Sequence, residues 1–276
     1  MESFMSIFVN NRLIEGFKFS GGEVHVKVPV PEITDFTEIR AFLNSSDDVM
    51  SLLMTVDAIR RINWFTQIAL TIPYFPYARQ DRVCNEGEPL SVKVMADLIN
   101  SLNCESVEIY DPHSEVTPAL IDRCKSVSLA HLVTRSPLSA FILERNLVLI
   151  SPDAGAEKKI KELGNLLSSN EKKVPLLCAR KVRDTLTGAI LATEIYGDVQ
   201  GRDLIILDDI CDGGRTFVEL AKALRNQGAG DLYLYVTHGI FSKGLTELKE
   251  YFKRVYCYYP LRGSHSNTDP FLITLT

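Results

Sequence analysis

Short apolar runs alternate along the chain with stretches whose apolar residues recur every three to four positions. "QIALTIPYF" (67–75) is apolar and rich in strand-forming residues. "SVKVMADLINSL" (91–102) places Val92, Met95, Ala96 and Ile99 on one face, which is helical spacing. "SVEIYD" (106–111), "NLVLISPD" (146–153) and "DLIILDD" (203–209) are short apolar runs that end in acidic residues. "AEKKIKELGNLL" (156–167) and "FVELAKALRNQG" (217–228) read as helices, with Gly228 suited to a C-terminal cap. "DLYLYVTHG" (231–239) and "KRVYCYYP" (253–260) add two strands. Strand, loop, helix and strand in succession predict an α/β fold with mainly parallel sheets and right-handed crossovers. Near-continuous apolar strands imply helices on both faces. A break near 130–147 divides the chain into two α/β halves, 1–135 and 136–276. Ligands of such sheets bind beyond the carboxyl ends of the strands, so the acidic strand ends are where chemistry is expected.

Composition narrows the classes. With 276 residues and 46% hydrophobic content, a normal core can be buried in one large or two smaller domains. A net charge of −5 argues against a nucleic-acid binder that relies on a broad basic surface, although a local basic pocket for a small anion is compatible with it. The six cysteines are widely spaced, without a C-x-x-C pair, which fits reduced thiols better than a metal site or a disulfide scaffold. The first residues lack the basic and apolar regions of a signal peptide, and no run approaches a membrane span. A soluble cytoplasmic protein is expected, with neither nucleic acid nor membrane as partner.

The acidic end with most to explain is "LIILDDICDGGRT" (204–216). Four residues to be buried run into Asp208 and Asp209 at the rim. Gly213 and Gly214 let backbone N–H groups converge, and a helix beginning near Thr216 adds the positive end of its dipole. That is an anion cradle. Carboxylates beside a phosphate make sense if the ligand also carries vicinal hydroxyls, as a ribose phosphate does. An acidic strand of a P-loop NTPase is the competing reading, but it needs G-x-x-x-x-G-K-[ST], which the sequence lacks. A plain helix-capping role for the aspartates is the other.

"FKFSGGEVHVKV" (17–28), "IPYFPYARQDR" (72–82) with "GEPLSVKVMADLIN" (87–100), "YDPHS" (110–114), "SPDAGAEKK" (151–159), "ARKVRD" (179–184) and "DLIILDDICDGG" (203–214) follow one another in order. Together they resemble the ribose-phosphate pyrophosphokinase (phosphoribosyl pyrophosphate synthetase) family. The resemblance implies two tandem phosphoribosyltransferase-like (Rossmann-like) domains, the first binding ATP and the second ribose phosphate. It implies transfer of the β,γ-diphosphoryl group of Mg-ATP to the anomeric hydroxyl of ribose 5-phosphate, giving PRPP and AMP, with Mg2+ as cofactor.

Residue by residue, the resemblance places His113 and Asp153 near the metal, with capping of the following helix as the plain role for Asp153. It makes Lys181 and Arg183 the cations of the catalytic loop. Spaced i, i+2 on an extended segment, both can point the same way, toward the transferred group. Arg79, Gln80 and Asp81 match the ATP segment. Phe19 and Glu23 match residues that reach the adenine of ATP on a neighbouring subunit, which implies a homo-oligomer; a solvated turn is the plain alternative. Asp208, Asp209, Asp212, Gly213, Gly214, Arg215 and Thr216 form the ribose-phosphate site.

The sequence departs from the family at its phosphate loop. Members usually read Asp-Thr-x-Gly-Thr there; this chain has Asp212, Gly213, Gly214, Arg215 and Thr216. A loop hydroxyl is lost at 213 and a bulky cation gained at 215. Either Arg215 compensates and ribose 5-phosphate is bound, the reading favoured here, or the pocket takes a larger 5-substituted ribose such as ADP-ribose. Residues 83–88, "VCNEGE", lack the positive charge usual in the family, so little activation by inorganic phosphate is expected. Gly21 stands where Asp or Asn helps read adenine, and Ala156 replaces a glycine. The chain is shorter than typical of the family at both ends, so a reduced assembly rather than the family's hexamer is expected. The rival functions are a phosphoribosyltransferase, which gives no reason for "FPYARQDR" or the His113 segment, and a non-catalytic regulatory subunit, which gives no reason to retain the acids and cations.

Overall fold

A computed structural model describes residues 7–183, 190–261 and 269–275; the side chains of 181–183 and 190–193 also lie outside the description. The chain forms two compact units, Met1–Val127 and Ser128–Thr276. The division falls earlier than 135/136 because residues 129–134 form a helix that packs within the second unit.

In the first unit the strands are β1 (Ile7–Val9), β2 (Arg12–Leu13), β3 (Glu15–Lys18), β4 (Val24–Lys27), β5 (Phe36–Ala41), β6 (Gln67–Ile72), β7 (Ser106–Tyr110) and β8 (Cys124–Val127). The helices are α1 (Ser46–Ile62), α2 (Ser91–Ser101) and α3 (Val116–Leu120). Strands β5 to β8 run parallel, β1 and β2 extend the sheet antiparallel to the order β2-β1-β5-β6-β7-β8, and β3-β4 is a separate hairpin. Helix α1 begins where the Ser45 hydroxyl accepts the Asp48 N–H at 3.2 Å, with Asp47 and Asp48 in its first turn and Arg60 and Arg61 in its last. The cap satisfies an otherwise orphaned donor and both charge pairs favour the helix dipole. Ile39, Leu70 and Ile109 from the sheet pack with Leu52 and Ile59 of α1 and Met95 and Ile99 of α2. Burial alternates strictly along β5 and β6, so only one face of this sheet is sealed. Glu38, Thr71, Glu108 and Lys125 line the other, and the expectation of helices on both faces fails for this unit.

It holds in the second unit. There β9 (Val148–Ser151), β10 (Leu176–Arg183), β11 (Ile190–Tyr196), β12 (Leu204–Cys211), β13 (Leu232–Gly239), β14 (Arg254–Pro260) and β15 (Leu272–Thr274) form one sheet in the order β11-β10-β9-β12-β13-β14-β15. All neighbours are parallel except β10 and β11. The helices are α4 (Leu129–Thr134), α5 (Leu138–Glu144), α6 (Glu157–Leu167), α7 (Arg215–Asn226) and α8 (Thr246–Tyr251). Every residue of β9 and β13 is buried. Leu204, Ile206, Leu234 and Val236 face one core with Phe217, Leu220 and Leu224 of α7, whereas Ile205, Leu207, Tyr233 and Tyr235 face another with Val133 of α4 and Ile160 and Leu163 of α6. Gly228 ends α7 at φ +81°, the left-handed position a glycine cap provides. No helix among the described residues is long and apolar enough to cross a membrane.

The thiols follow this packing. Cys84 is exposed, whereas burial pushes Cys104 and Cys124 up to about 11 and Cys211 up to about 12. Because the thiolate is the reactive form, Cys84 is expected to react first with a disulfide reagent at pH 8, as read by peptide mass mapping. Equally fast labelling of Cys104 or Cys211 would contradict the packing described.

Candidate active site

Parallel pairing brings the carboxyl ends of β9, β12 and β13 to one edge. Ile206 lies opposite Ile150, and Cys211 opposite Gly239. The loops after these three strands therefore gather around the acidic end of β12. The strand runs to Cys211, beyond the aspartates, because its ladder with β13 continues that far. Asp208 and Asp209 thus stand within the strand rather than on the loop after it. Asp208 is half-buried and Asp209 buried.

Desolvation, then the neighbouring charge of Asp209, raises the Asp208 carboxyl well above the usual carboxylate range; Asp153 pushes it further in the same direction. The Asp209 N–H donates to Asp208 Oδ1 at 2.9 Å and offsets part of this. An acid pair held so close in a dry place is costly to ionise, and a ligand that donates hydroxyl protons to it relieves the cost.

The loop after β12 is short. Gly214 adopts φ +77° and caps α7, which starts at Arg215, and a Cβ at Gly214 would stand 3.4 Å from Leu248. Only glycine takes that conformation readily. Arg215 is exposed and Thr216 half-buried. The first turn of α7 follows directly on Asp212 and the two glycines; the Phe217 and Val218 N–H groups donate to the Gly214 carbonyl at 3.0 and 3.1 Å, and the positive end of the helix dipole lies at the loop. The Ser242 hydroxyl donates to Asp212 Oδ1 at 2.6 Å, and the Ser242 N–H donates to the Asp212 carbonyl at 3.1 Å, which ties the loop to the turn after β13.

Asp153 follows β9. Its Oδ1 accepts the N–H groups of Gly155 (3.0 Å) and Ala156 (3.1 Å), so one oxygen serves the start of α6, as the plain reading of this residue anticipates. Ser151 Oγ donates to the Asp153 carbonyl at 2.5 Å and fixes the turn. The charge of Asp153 nonetheless reaches Asp208.

In the first unit, the ends of β6 and β7 bring together two segments far apart in sequence. The Asp81 carboxyl is held below the usual range first by the Ser114 hydroxyl, with Arg82 and His113 adding to the shift against a desolvation cost. Arg82 Nε lies 3.3 Å from Asp81 Oδ1. His113, Arg79 and Gln80 are exposed around it. Phe19 and Glu23 close the β3–β4 hairpin, where the Phe19 N–H donates to the Glu23 carbonyl at 2.8 Å and Gly22 takes φ +96°. Phe19 is 51% exposed and its ring lies 4.8 Å from that of Phe17, so the hairpin tip offers an apolar wall to solvent. Lys181 and Arg183 lie in β10, whose ladder with β11 shifts register between Val182 and Arg183; their side chains are outside the described residues.

The residues missed at the level of sequence are Ser114, Ser242 and Lys243. Ser114 adjoins the noticed His113. Ser242 and Lys243 follow β13, and only the pairing of β13 with β12 brings them to the loop.

Two α/β units, the second carrying an acid pair, a glycine loop and a helix N-terminus at one sheet edge, define a nucleotide- and sugar-phosphate-handling transferase class. Residues 13–102 match the family described as the N-terminal domain of ribose phosphate pyrophosphokinase, and 157–251 the phosphoribosyl synthetase-associated domain. The chain belongs to the ribose-phosphate pyrophosphokinase family. It is 32% identical over 228 residues to the ribose-phosphate pyrophosphokinase of Maricaulis maris, covering 82% of this chain and 71% of the relative. It is 33% identical to that of Shewanella oneidensis (82% and 70%) and 33% identical to that of Granulibacter bethesdensis (72% and 62%). The fold matches the crystal structure of phosphoribosylpyrophosphate synthetase from Mycobacterium smegmatis with a TM-score of 0.78, at 24% identity over 95% of this chain and 85% of the other.

Proposed function

We propose that this chain is a ribose-phosphate diphosphokinase that transfers the β,γ-diphosphoryl group of Mg-ATP to the anomeric hydroxyl of ribose 5-phosphate, with release of AMP. The carrying observation is the juxtaposition of Asp208, Asp209 and Asp212 with the Gly213–Gly214 loop and the start of α7 in a chain of this family. The carboxylates accept from the ribose diol, and the loop amides with Thr216 hold the 5-phosphate. Arg79 grips nucleotide phosphates bidentately, beside the Asp81–Ser114–His113 cluster. Phe19 and Glu23 receive the adenine of ATP bound to a second copy of the chain, which makes the working protein a homo-oligomer.

Among the described residues no group of three or more His, Cys, Asp or Glu side chains is arranged to hold a metal alone. Magnesium keeps waters and takes most other ligands from nucleotide phosphates; the family resemblance assigns Asp153 and His113 to it. When bound, the ion neutralises phosphate charge. The anomeric oxygen forms the new bond to the β-phosphorus as its proton passes to solvent, the bond from the β-phosphorus to the bridging oxygen breaks, and AMP departs with that oxygen. Lys181 and Arg183 meet the charge that gathers on the transferred oxygens. Positioning and electrostatics, rather than a covalent intermediate, supply the rate.

The exposed Arg215 also supports a second acceptor, a ribose whose 5-position carries a diphosphate, as in ADP-ribose. Purified protein with Mg-ATP and each acceptor decides. AMP and a 1-diphosphate product are expected with ribose 5-phosphate; consumption of ADP-ribose alone would transfer the assignment to it, and no AMP with either would defeat the diphosphokinase reading. With Val83 to Glu88 lacking basic side chains, raising inorganic phosphate from zero to millimolar levels is expected to leave kcat nearly unchanged. A strict phosphate requirement in the same assay would contradict this.

A further inference from the structure

The turn after β13 carries a cation to the phosphate loop. Gly239 lies opposite Cys211 in the ladder, and the Ile240 and Phe241 N–H groups both donate to the Cys211 carbonyl, at 2.8 and 3.1 Å. The Gly244 N–H closes a turn on the Phe241 carbonyl at 2.8 Å, with Ser242 and Lys243 at its centre. The bonds from Ser242 to Asp212 complete the fastening. Lys243 is therefore presented by a turn held by five hydrogen bonds, four of them from the backbone and one from the Ser242 hydroxyl. Its stem lies on Gly213: a Cβ there would stand 3.5 Å from Lys243 Cδ and Cε. Lys243 is exposed and makes no ion pair among the described residues.

Gly213 does not need to be glycine for its backbone, since only Gly214 of the two takes a positive φ. A Cβ at 213 would meet only ordinary van der Waals contact. The position that resembles the family's loop hydroxyl thus has space for a side chain and lacks one, while a lysine stem crosses it. We propose that Lys243 binds the phosphate on the acceptor's 5-position, its ammonium taking the place of the missing 213 side chain, and that with Arg215 it frames this anion from both sides of the glycine loop. The ligand class is a ribose carrying a phosphate or diphosphate ester at C5. The inference rests on the acceptor reading above. It assigns a binding role, separate from the transfer chemistry.

Lys243→Met keeps the stem against Gly213 and removes the charge, and Lys243→Arg keeps a charge. Loss of one charge-assisted hydrogen bond corresponds to an affinity loss of about 10–100-fold. Calorimetric titration with ribose 5-phosphate, and with ADP-ribose, is expected to show that loss in Lys243→Met and near-native affinity in Lys243→Arg. Steady-state assays are expected to show a raised acceptor KM with the ATP KM unchanged. If Lys243 only packs on the loop, Lys243→Met will bind both acceptors like the parent protein, and the proposal is overturned. Charge-dependent acceptor binding without AMP release would sink the diphosphokinase reading and leave this one standing; absence of acceptor binding by the parent protein would end both.

Discussion

Lys181→Ala is expected to lower kcat by about 10²–10³-fold, the scale of losing one preorganised donor at a site of developing charge. The Kd for ATP, measured by calorimetry, is expected to move little. The reason for the split is where charge appears. In the proposed reaction the segment around Arg79 serves the nucleotide phosphates in the ground state, whereas the bond change at the β-phosphorus places new charge on oxygens that Lys181 is proposed to meet. Its backbone belongs to β10 and pairs with Thr193 of β11, past the end of the ladder with β9 at Cys178. That pairing anchors the residue at its base. Arg183→Ala is expected to behave similarly, and because the two act on one group their losses will not add. Retained turnover in Lys181→Ala would remove this segment from the mechanism.

The second large effect concerns the acid pair, and it separates stability from activity. Asp209→Asn and Asp208→Asn are each expected to cut kcat/KM for the acceptor by about 10–100-fold, through loss of a charge-assisted hydrogen bond to a ribose hydroxyl. Asp208→Asn is expected also to stabilise the unliganded protein at neutral pH, since it removes a carboxyl whose ionised form is desolvated and faces Asp209 and Asp153. The sign follows from linkage. A carboxyl raised above its unfolded value binds its proton more tightly in the folded state, so its favourable contribution is present at acid pH and fades as pH rises through the raised value. Stability of the parent protein should therefore fall over that window, and the fall should shrink in Asp208→Asn. In thermal melts of a domain this size, each kcal/mol relieved corresponds to about 2–4 °C. A lower melting temperature for Asp208→Asn at neutral pH, with the acceptor absent, would contradict the strain ascribed to the pair.

Much of this architecture was legible because it rests on one-dimensional signals. The apolar runs at 67–72, 106–110, 148–151, 204–211 and 232–239 are strands, and the 3.6-residue pattern at 91–101 is a helix. Gly214 and Gly228 stand where a left-handed residue is required. Less legible were features set by pairing. The length of β12 past Asp209 depends on its ladder with β13, which no local pattern announces. The open face of the first sheet is written in the alternation of "FTEIRA" (36–41), a segment whose Thr37 is buried and whose Phe36 is exposed, against the usual polarity of both. The same holds at the site. His113, Asp153 and the loop acids stand out as residues at strand ends, whereas Ser242 and Lys243 reach the phosphate loop only because β12 and β13 are neighbours.

The β12 aspartates are proposed to bind the ribose diol while the glycine loop binds the 5-phosphate. The most direct test is the affinity difference between ribose 5-phosphate and 2-deoxyribose 5-phosphate, measured by calorimetry in the parent protein and in Asp208→Asn/Asp209→Asn. A preference of about 10–100-fold for ribose in the parent is expected, from one charge-assisted hydrogen bond, and it should vanish in the double variant. An equal preference in both proteins would mean that the hydroxyls are read elsewhere.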